Sequence, residues 1–281
     1  MPPDITPNSP FPPPHGSAVP AVGAPPGRRD RAVSGTVRVG IVVPASNPTV
    51  EPEIQRLLPA RMVGYTARIV APAGLDLRDR LTWYRENPED SLDSLRGLGL
   101  SAVLVACTGA TYPLGVEGDR AWSAAQSARL GLPVLTSAGA LAEALSLLDT
   151  AHVSLVSPYP AWLTDQCAAF WRGAGLSVRE FPLSGTGAIY DTAPEDVGAA
   201  VRATLATETP AGGRAVVVTG TGAPSLAALD AVAASSPIPV LSSNLAGAWA
   251  LARVAGAGGL LAHAPGAALR RLDRDTLEGA R

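Results

Sequence analysis

The stretch Ala102-Val-Leu-Val-Ala-Cys107-Thr-Gly-Ala110 returns later in the chain as Ala215-Val-Val-Val-Thr-Gly220-Thr-Gly-Ala223. Each copy is an apolar run, rich in β-branched residues, that ends in a turn of small residues. This pattern is typical of a buried strand that carries its last residues to a site. The first copy has a cysteine where the second has a glycine. If the two copies face each other, the cysteine thiol lies opposite a residue that has no side chain.

The repeat extends to two further pairs of segments, and the pairs keep their order along the chain. Val39-Gly-Ile-Val-Val-Pro44 matches Val153-Ser-Leu-Val-Ser-Pro158, and Pro133-Val-Leu-Thr-Ser137 matches Pro239-Val-Leu-Ser-Ser243. Chance likeness between two α/β units is the alternative explanation, which the kept order and similar spacing disfavour. The repeat therefore predicts two similar α/β lobes related by a pseudo-two-fold axis.

Apolar runs alternate with amphipathic segments along the chain, and most of the runs are continuously hydrophobic. Continuous rather than alternating hydrophobicity predicts parallel β-sheets flanked by helices on both faces. Strands are predicted at residues 37–43, 62–70, 102–106, 133–135, 153–157, 176–181, 215–219 and 239–241, and helices at 52–58, 88–97, 116–130, 139–148, 160–173, 194–206, 225–234 and 245–255. Because ligands bind beyond the carboxyl ends of parallel strands, a site is expected between the lobes.

Composition also predicts how the chain divides. Residues 1–35 are rich in proline and poor in core formers, which indicates a disordered tail without chemistry. The first lobe is predicted at 36–138, with 242–281 packing back on it, and the second lobe at 139–241.

The charge balance excludes several classes of partner. With 22 basic and 24 acidic residues, the net charge is -2, which argues against binding to nucleic acid or to an anionic membrane. No apolar run reaches the roughly 18 residues of a membrane span. Residues 1–34 lack the features of a signal peptide, so the cytoplasm is the expected compartment.

Several kinds of catalytic site are excluded by residue types. Every basic residue is arginine, so Schiff-base chemistry and a Walker A loop, which both need lysine, are excluded. His15, His152 and His263 show no ligand-like spacing, so we expect no metal site. Cys107 and Cys167 are expected to be reduced in a cytoplasmic chain.

Four fragments carry a resemblance to a known family: Val43-Pro-Ala-Ser-Asn47, Ala106-Cys-Thr-Gly109, Ser157-Pro-Tyr159 and Ser242-Ser-Asn-Leu-Ala-Gly-Ala-Trp249. In this order and spacing they resemble the aspartate/glutamate racemase superfamily, and within it the branch of maleate cis-trans isomerases and arylmalonate decarboxylases. The resemblance covers roughly residues 37–255. It implies a small carboxylate substrate and no metal or organic cofactor, and it leaves the subunit number open, a homo-oligomer included.

The resemblance also implies a pair of cysteines, one from each lobe, on opposite faces of the substrate. Cys107 matches the first position, whereas the second falls on Gly220. Arylmalonate decarboxylases have one site thiol, which lies in the second lobe, and a glycine at the matching position of the first lobe. This chain has the reverse arrangement and resembles their mirror image. Family members also carry an asparagine after the sixth strand; here that loop has none, and Thr186, Tyr190 and Asp191 are the alternatives.

Cys107 is the candidate catalytic residue. It follows a buried strand and precedes a turn that leads towards a helix, where backbone N–H groups are expected to lower its pKa and favour the thiolate. A thiolate can add to an activated alkene or move a proton next to a carboxylate. The alternative is a small buried hydrophobe, as free cysteines often are.

The other candidates would bind substrate. Amides and hydroxyls of Thr108, Gly109, Gly220, Thr221 and Gly222 could donate to a carboxylate whose charge builds as an enediolate forms. An ordinary strand-to-helix turn is the alternative, and a dinucleotide-binding interpretation of the glycines is weak.

Side chains after two further strands complete the candidate set. Asn47 offers an amide and Tyr159 a phenol, although turn formation also explains Asn47. The hydroxyls that end the paired strands are explained by helix capping; these are Thr136, Ser137, Ser242 and Ser243. Cys167 and Trp249 are predicted to be core residues.

Three functions remain open. The leading hypothesis is an isomerase that uses Cys107 on a small carboxylic or dicarboxylic acid. The second is a decarboxylase in which Cys107 protonates an enediolate from one face. The third is a non-catalytic carboxylate-binding protein. Racemisation needs an acid and a base on opposite faces, and Gly220 can be neither.

Overall fold

The computed structural model describes residues 35–183, 190–210, 212–232 and 235–257. Most of the predicted tail, the segment 258–281 and Thr186 lie outside the described residues. Within the described part, no helix is long and apolar enough to cross a membrane.

Two four-stranded parallel sheets form the framework of the fold. The first has the strand order β2-β1-β3-β4 and the second β6-β5-β7-β8, so the two sheets share one topology. The strands are β1 (Val37–Pro44), β2 (Met62–Ile69), β3 (Ala102–Val105), β4 (Val134–Thr136), β5 (His152–Ser157), β6 (Ser177–Pro182), β7 (Arg214–Val218) and β8 (Val240–Ser242). The prediction of two similar parallel α/β lobes is confirmed.

Helices flank both sheets. They are α1 (Val50–Leu57), α2 (Leu77–Glu86), α3 (Glu89–Asp93), α4 (Thr108–Thr111), α5 (Gly115–Leu130), α6 (Ser137–Leu147), α7 (Ala161–Gly173), α8 (Pro194–Thr207), α9 (Leu226–Val232) and α10 (Ser243–Val254). Helix α10 packs against α1, α6, β3 and β4. The exact division of the chain into domains stays a prediction.

The strands at the centre of each sheet have no exposed face. All four residues of β3 are buried, as are Ala215 to Val218 in β7. Because these eight side chains are apolar and covered, the position of each strand is held by packing on both faces. These two strands are the repeated segments, and they end at the turns that carry Cys107 and Gly220.

Helix α2 was not predicted. Its sequence is half charged, and its apolar residues are few; Leu77, Leu81 and Tyr84 form a narrow stripe, with Trp83 beside it. The sequence feature that could have identified the helix is its N-cap residue, Asp76. Its side chain accepts a hydrogen bond from the Asp79 N–H at 2.9 Å and caps the helix. The helix predicted at 88–97 is shorter, ending at Asp93.

Candidate active site

Cys107 lies two residues beyond the end of β3 and is the N-cap residue of the short helix α4. The Ala110 N–H lies near its sulfur, as the predicted turn requires, but the residue is only 6% exposed. Burial raises the pKa of Cys107 to about 12, and the Ala110 N–H only partly opposes this rise. The expected lowered pKa is therefore wrong, because loss of solvation outweighs one N–H donor.

In the matching turn after β7, the first glycine has a backbone conformation and a close contact that disfavour any side chain. Gly220 has φ +87°, and a Cβ built on it would lie 3.1 Å from two ring carbons and the oxygen of Tyr159. Space at Gly222 is tighter still, since a Cβ there would lie 2.5 Å from the Tyr190 ring. The second cysteine position is thus occupied by backbone, with an aromatic ring packed over it.

One cavity brings the two turns together. It is lined by seven of the eight predicted site residues, Cys107, Thr108, Gly109, Tyr159, Gly220, Thr221 and Gly222. The eighth, Asn47, lies behind the Gly222 turn, with its amide nitrogen 3.7 Å from a Cβ built there. That these residues contact a substrate stays a prediction.

Tyr159 links the first turn to the second lobe. Its hydroxyl lies 2.7 Å from Thr108 Oγ1, and one of the two groups donates to the other. Burial raises the pKa of Tyr159 well above its ordinary value, so the phenol keeps its proton at neutral pH. Two hydroxyls that share one hydrogen bond retain a second proton, which can be donated to an oxygen in the cavity.

Asn47 and Thr221 bind each other across the lobes. Asn47 Oδ1 accepts from the N–H groups of Thr49 and Val50, which fixes the start of α1. Its Nδ2 donates to Thr221 Oγ1 at 3.2 Å, and the Thr221 hydroxyl donates to Ala106 O at 3.0 Å. These hydrogen bonds connect the second turn to Ala106, the residue that precedes Cys107.

Glu53, on helix α1, stabilises the same turn and was not predicted from the sequence. Its carboxylate accepts from the N–H groups of Ser225 and Leu226 at 2.5 and 2.9 Å, and from Ser225 Oγ at 3.0 Å. It also accepts from Asn244 Nδ2 at 2.8 Å, and that amide donates to Thr221 O. Burial raises the pKa of Glu53, and these hydrogen bonds oppose the rise.

The capping explanation is confirmed for two of the four hydroxyls. Thr136 Oγ1 accepts from Gly139 N at 2.9 Å and Ser242 Oγ from Leu245 N at 3.2 Å, so both cap helices. It is wrong for Ser137 and Ser243, whose buried hydroxyls have no hydrogen-bond partner among the described residues. Cys167 is fully buried, with its sulfur 3.4 Å from Thr219 Oγ1, which confirms that it is a core residue.

Eight further residues line the cavity. Four lie on α2 and were not predicted, and a fifth follows β6 in the chain; they are Leu77, Arg80, Leu81, Tyr84 and Tyr190. Pro44, Pro158 and Leu163 complete the lining. Of the three alternatives for the missing asparagine, Tyr190 thus lines the cavity. The signal for the α2 residues was their spacing, since positions i, i+3, i+4 and i+7 share one helix face. Within the described residues, no cluster of three or more His, Cys, Asp or Glu side chains could hold a metal ion.

We expect Gly220→Ala to lower the free energy of unfolding by about 1–3 kcal/mol, because it combines a left-handed backbone with a tight contact to the Tyr159 ring. The measurement is urea unfolding. Gly212→Ala is the matched control, since that glycine has open space around it, and we expect it to be neutral or slightly stabilising. Equal effects of the two substitutions would contradict this account of the second turn.

Comparison with known proteins gives concordant results. The family described as arylmalonate decarboxylase matches residues 39–268. The maleate isomerase of Nocardia farcinica is 31% identical over 247 residues, which are 81% of this chain and 96% of that one. A solved mutant of the Nocardia farcinica maleate cis-trans isomerase, with a covalently bound succinylcysteine intermediate, has a TM-score of 0.65 at 27% identity and covers 78% of this chain and 93% of its own. Unliganded arylmalonate decarboxylase, at 22% identity and a TM-score of 0.70, shares the fold over 84% of this chain and 99% of its own.

Proposed function

The chain belongs to the arylmalonate decarboxylase family. Because a maleate isomerase is also a relative, we propose that this protein is a cofactor-independent cis-trans isomerase of a small unsaturated dicarboxylic acid. The observation that carries the proposal is the Cys107 thiol, which lines one cavity together with the Gly220–Gly222 turn of the other lobe. The similarity to a maleate isomerase over most of both chains supports the same chemistry.

The proposed reaction begins with addition of the Cys107 thiol across the double bond. The sulfur forms a bond to one alkene carbon, and the π electrons move to the neighbouring carbon and its carboxylate as an enediolate. The thiol proton passes to that carbon, the remaining C–C single bond rotates, and the steps reverse. The carbon then loses a proton, the double bond forms again, the C–S bond breaks and the thiol is restored.

Two features of the cavity bear on this route. The raised pKa of Cys107 keeps the sulfur protonated, so the thiol proton has to leave the sulfur as the C–S bond forms, and this is the proton that the neighbouring carbon takes up. The Tyr159 and Thr108 hydroxyls lie beside Cys107 and can donate to the enediolate. Such a donor contributes on the order of 3 kcal/mol to lowering the barrier.

A decarboxylase is the second candidate, and the neutral thiol also favours it. Loss of carbon dioxide from a malonate-like acid leaves an enediolate, which Cys107 would protonate from one face. The glycines opposite the thiol would leave space for the departing carboxylate. In either reaction Cys107 has to stay reduced, which supports a reducing compartment such as the cytoplasm.

Proton NMR of the purified protein with maleate, and separately with a disubstituted malonate, tests the proposal. Appearance of fumarate without carbon dioxide supports the isomerase, whereas a monoacid product supports the decarboxylase. Absence of turnover on a broad panel of unsaturated and malonic acids, with ligand binding kept, would leave the non-catalytic binding protein and overturn both enzymatic functions.

A further inference from the structure

Helix α2 presents one face to the cavity, and that face carries a single charge. Arg80 lies on it between Leu77, Leu81 and Tyr84, and it is the one charged side chain among the described residues that line the cavity. The rest of the lining is uncharged: apolar side chains, phenols, two threonine hydroxyls, the thiol and glycine backbone. A guanidinium on an otherwise apolar stripe is costly unless an anion compensates it.

Within the described residues, no such anion accompanies Arg80. Its Nε is buried and has no hydrogen-bond partner there, and no carboxylate of the described residues forms an ion pair with it. Neighbouring arginines of the same helix differ. Arg78 stacks on the Trp162 ring at 4.3 Å, and Arg85 pairs with Glu86 at 3.0 Å.

Two phenols, those of Tyr84 and Tyr190, line the cavity together with Arg80 and the thiol. Burial raises the pKa of both Tyr84 and Tyr190; Cys107 raises each further, and the Arg80 guanidinium opposes the rise. Both rings are therefore near both groups, whereas the pKa of Cys107 responds to its burial and to Ala110. The cavity is therefore lined by both a thiol and a positive charge.

We propose that Arg80 binds the second carboxylate of the substrate, and that it selects acids whose two carboxylates are separated along a carbon chain. This inference rests on the proposed function, which places the first carboxylate and the reacting carbon beside Cys107. A guanidinium matches a carboxylate with two parallel N–H donors, which fixes the distance between the two ends of the ligand.

The same residue disfavours an arylmalonate-like substrate. Such an acid carries both carboxylates on one carbon and an apolar ring on the other side. With its carboxylates beside Cys107, the ring would cover the Arg80 guanidinium and leave that charge without a partner. Arg80 therefore separates the two candidate reactions by substrate shape.

Equilibrium binding of two unreactive probes tests the inference. Succinate and butanoate have the same carbon chain and differ in one carboxylate. Calorimetry on the wild-type protein should show succinate binding about 10–100-fold more tightly than butanoate, the range expected for a hydrogen-bonded charge pair. Arg80→Met should reduce this ratio to about threefold or less, while butanoate affinity changes little.

Arg78→Met is the matched control, because it removes the same charge from the same helix outside the cavity and should keep the succinate preference. Arg80→Lys keeps a positive charge and should keep part of the succinate preference, so the test stands even if Arg80→Met does not fold. A wild-type protein without the preference, or an Arg80→Met protein that retains it, overturns the inference. If neither maleate nor a malonate is turned over but the preference depends on Arg80, the proposed function fails and the carboxylate site remains.

Discussion

Replacing Cys107 by serine is expected to lower turnover by at least about 10³-fold and to leave ligand affinity within about threefold. A serine hydroxyl is a far weaker nucleophile than a thiol and a weaker acid, so it can neither add to the alkene nor protonate the enediolate at a useful rate. The measurement is product formation by proton NMR beside succinate binding by calorimetry.

Cys167→Ala is the control for this substitution, because it removes the other buried thiol and should keep turnover. The same variant isolates the chemistry of Cys107. With a pKa near 12, the thiol should be alkylated by iodoacetamide about tenfold faster for each pH unit between 7 and 10, without a plateau. A plateau below pH 9, or a Cys107→Ser protein with normal turnover, would contradict the assigned role.

Replacing Glu53 by methionine is expected to lower the free energy of unfolding by about 3–5 kcal/mol, because four buried donors would lose their acceptor. Turnover should fall as well, since the Asn244 amide that this carboxylate orients also holds Thr221 O. Urea unfolding measures the first effect and NMR the second.

Glu51→Met is the matched control on the same helix. Glu51 pairs with Arg68 near the surface, where an ion pair contributes about 0–1 kcal/mol. A Glu53→Met protein that is no less stable than Glu51→Met would show that the carboxylate does not hold the two lobes together at the second turn.

Most of the fold could be predicted because its signals are local. The continuous hydrophobicity of the segments at β3 and β7 indicates strands buried on both faces, and the structure has them there. Helix α2 was not predicted because half of its residues are charged and its apolar stripe is narrow. That stripe lines the cavity.

Seven of the predicted site residues line one cavity, whereas the electrostatics of the thiol was not predicted; contact of these residues with a substrate stays a prediction. The turn geometry does supply the Ala110 N–H to the Cys107 sulfur, as the sequence indicates. The opposing burial comes from residues distant in the chain, Leu81 and Tyr159 among them, which line the same cavity. No local pattern reports that contribution.

The amino-acid sequence alone determined the repeat, the parallel lobes, the position of the thiol and the glycine opposite it, because strand formation and turn chemistry depend on neighbouring residues. Only the tertiary structure decided that Tyr159 covers Gly220, that Glu53 holds the second turn and that Arg80 faces the cavity. These contacts join residues far apart in the chain, and desolvation and charge depend on what surrounds a group in space.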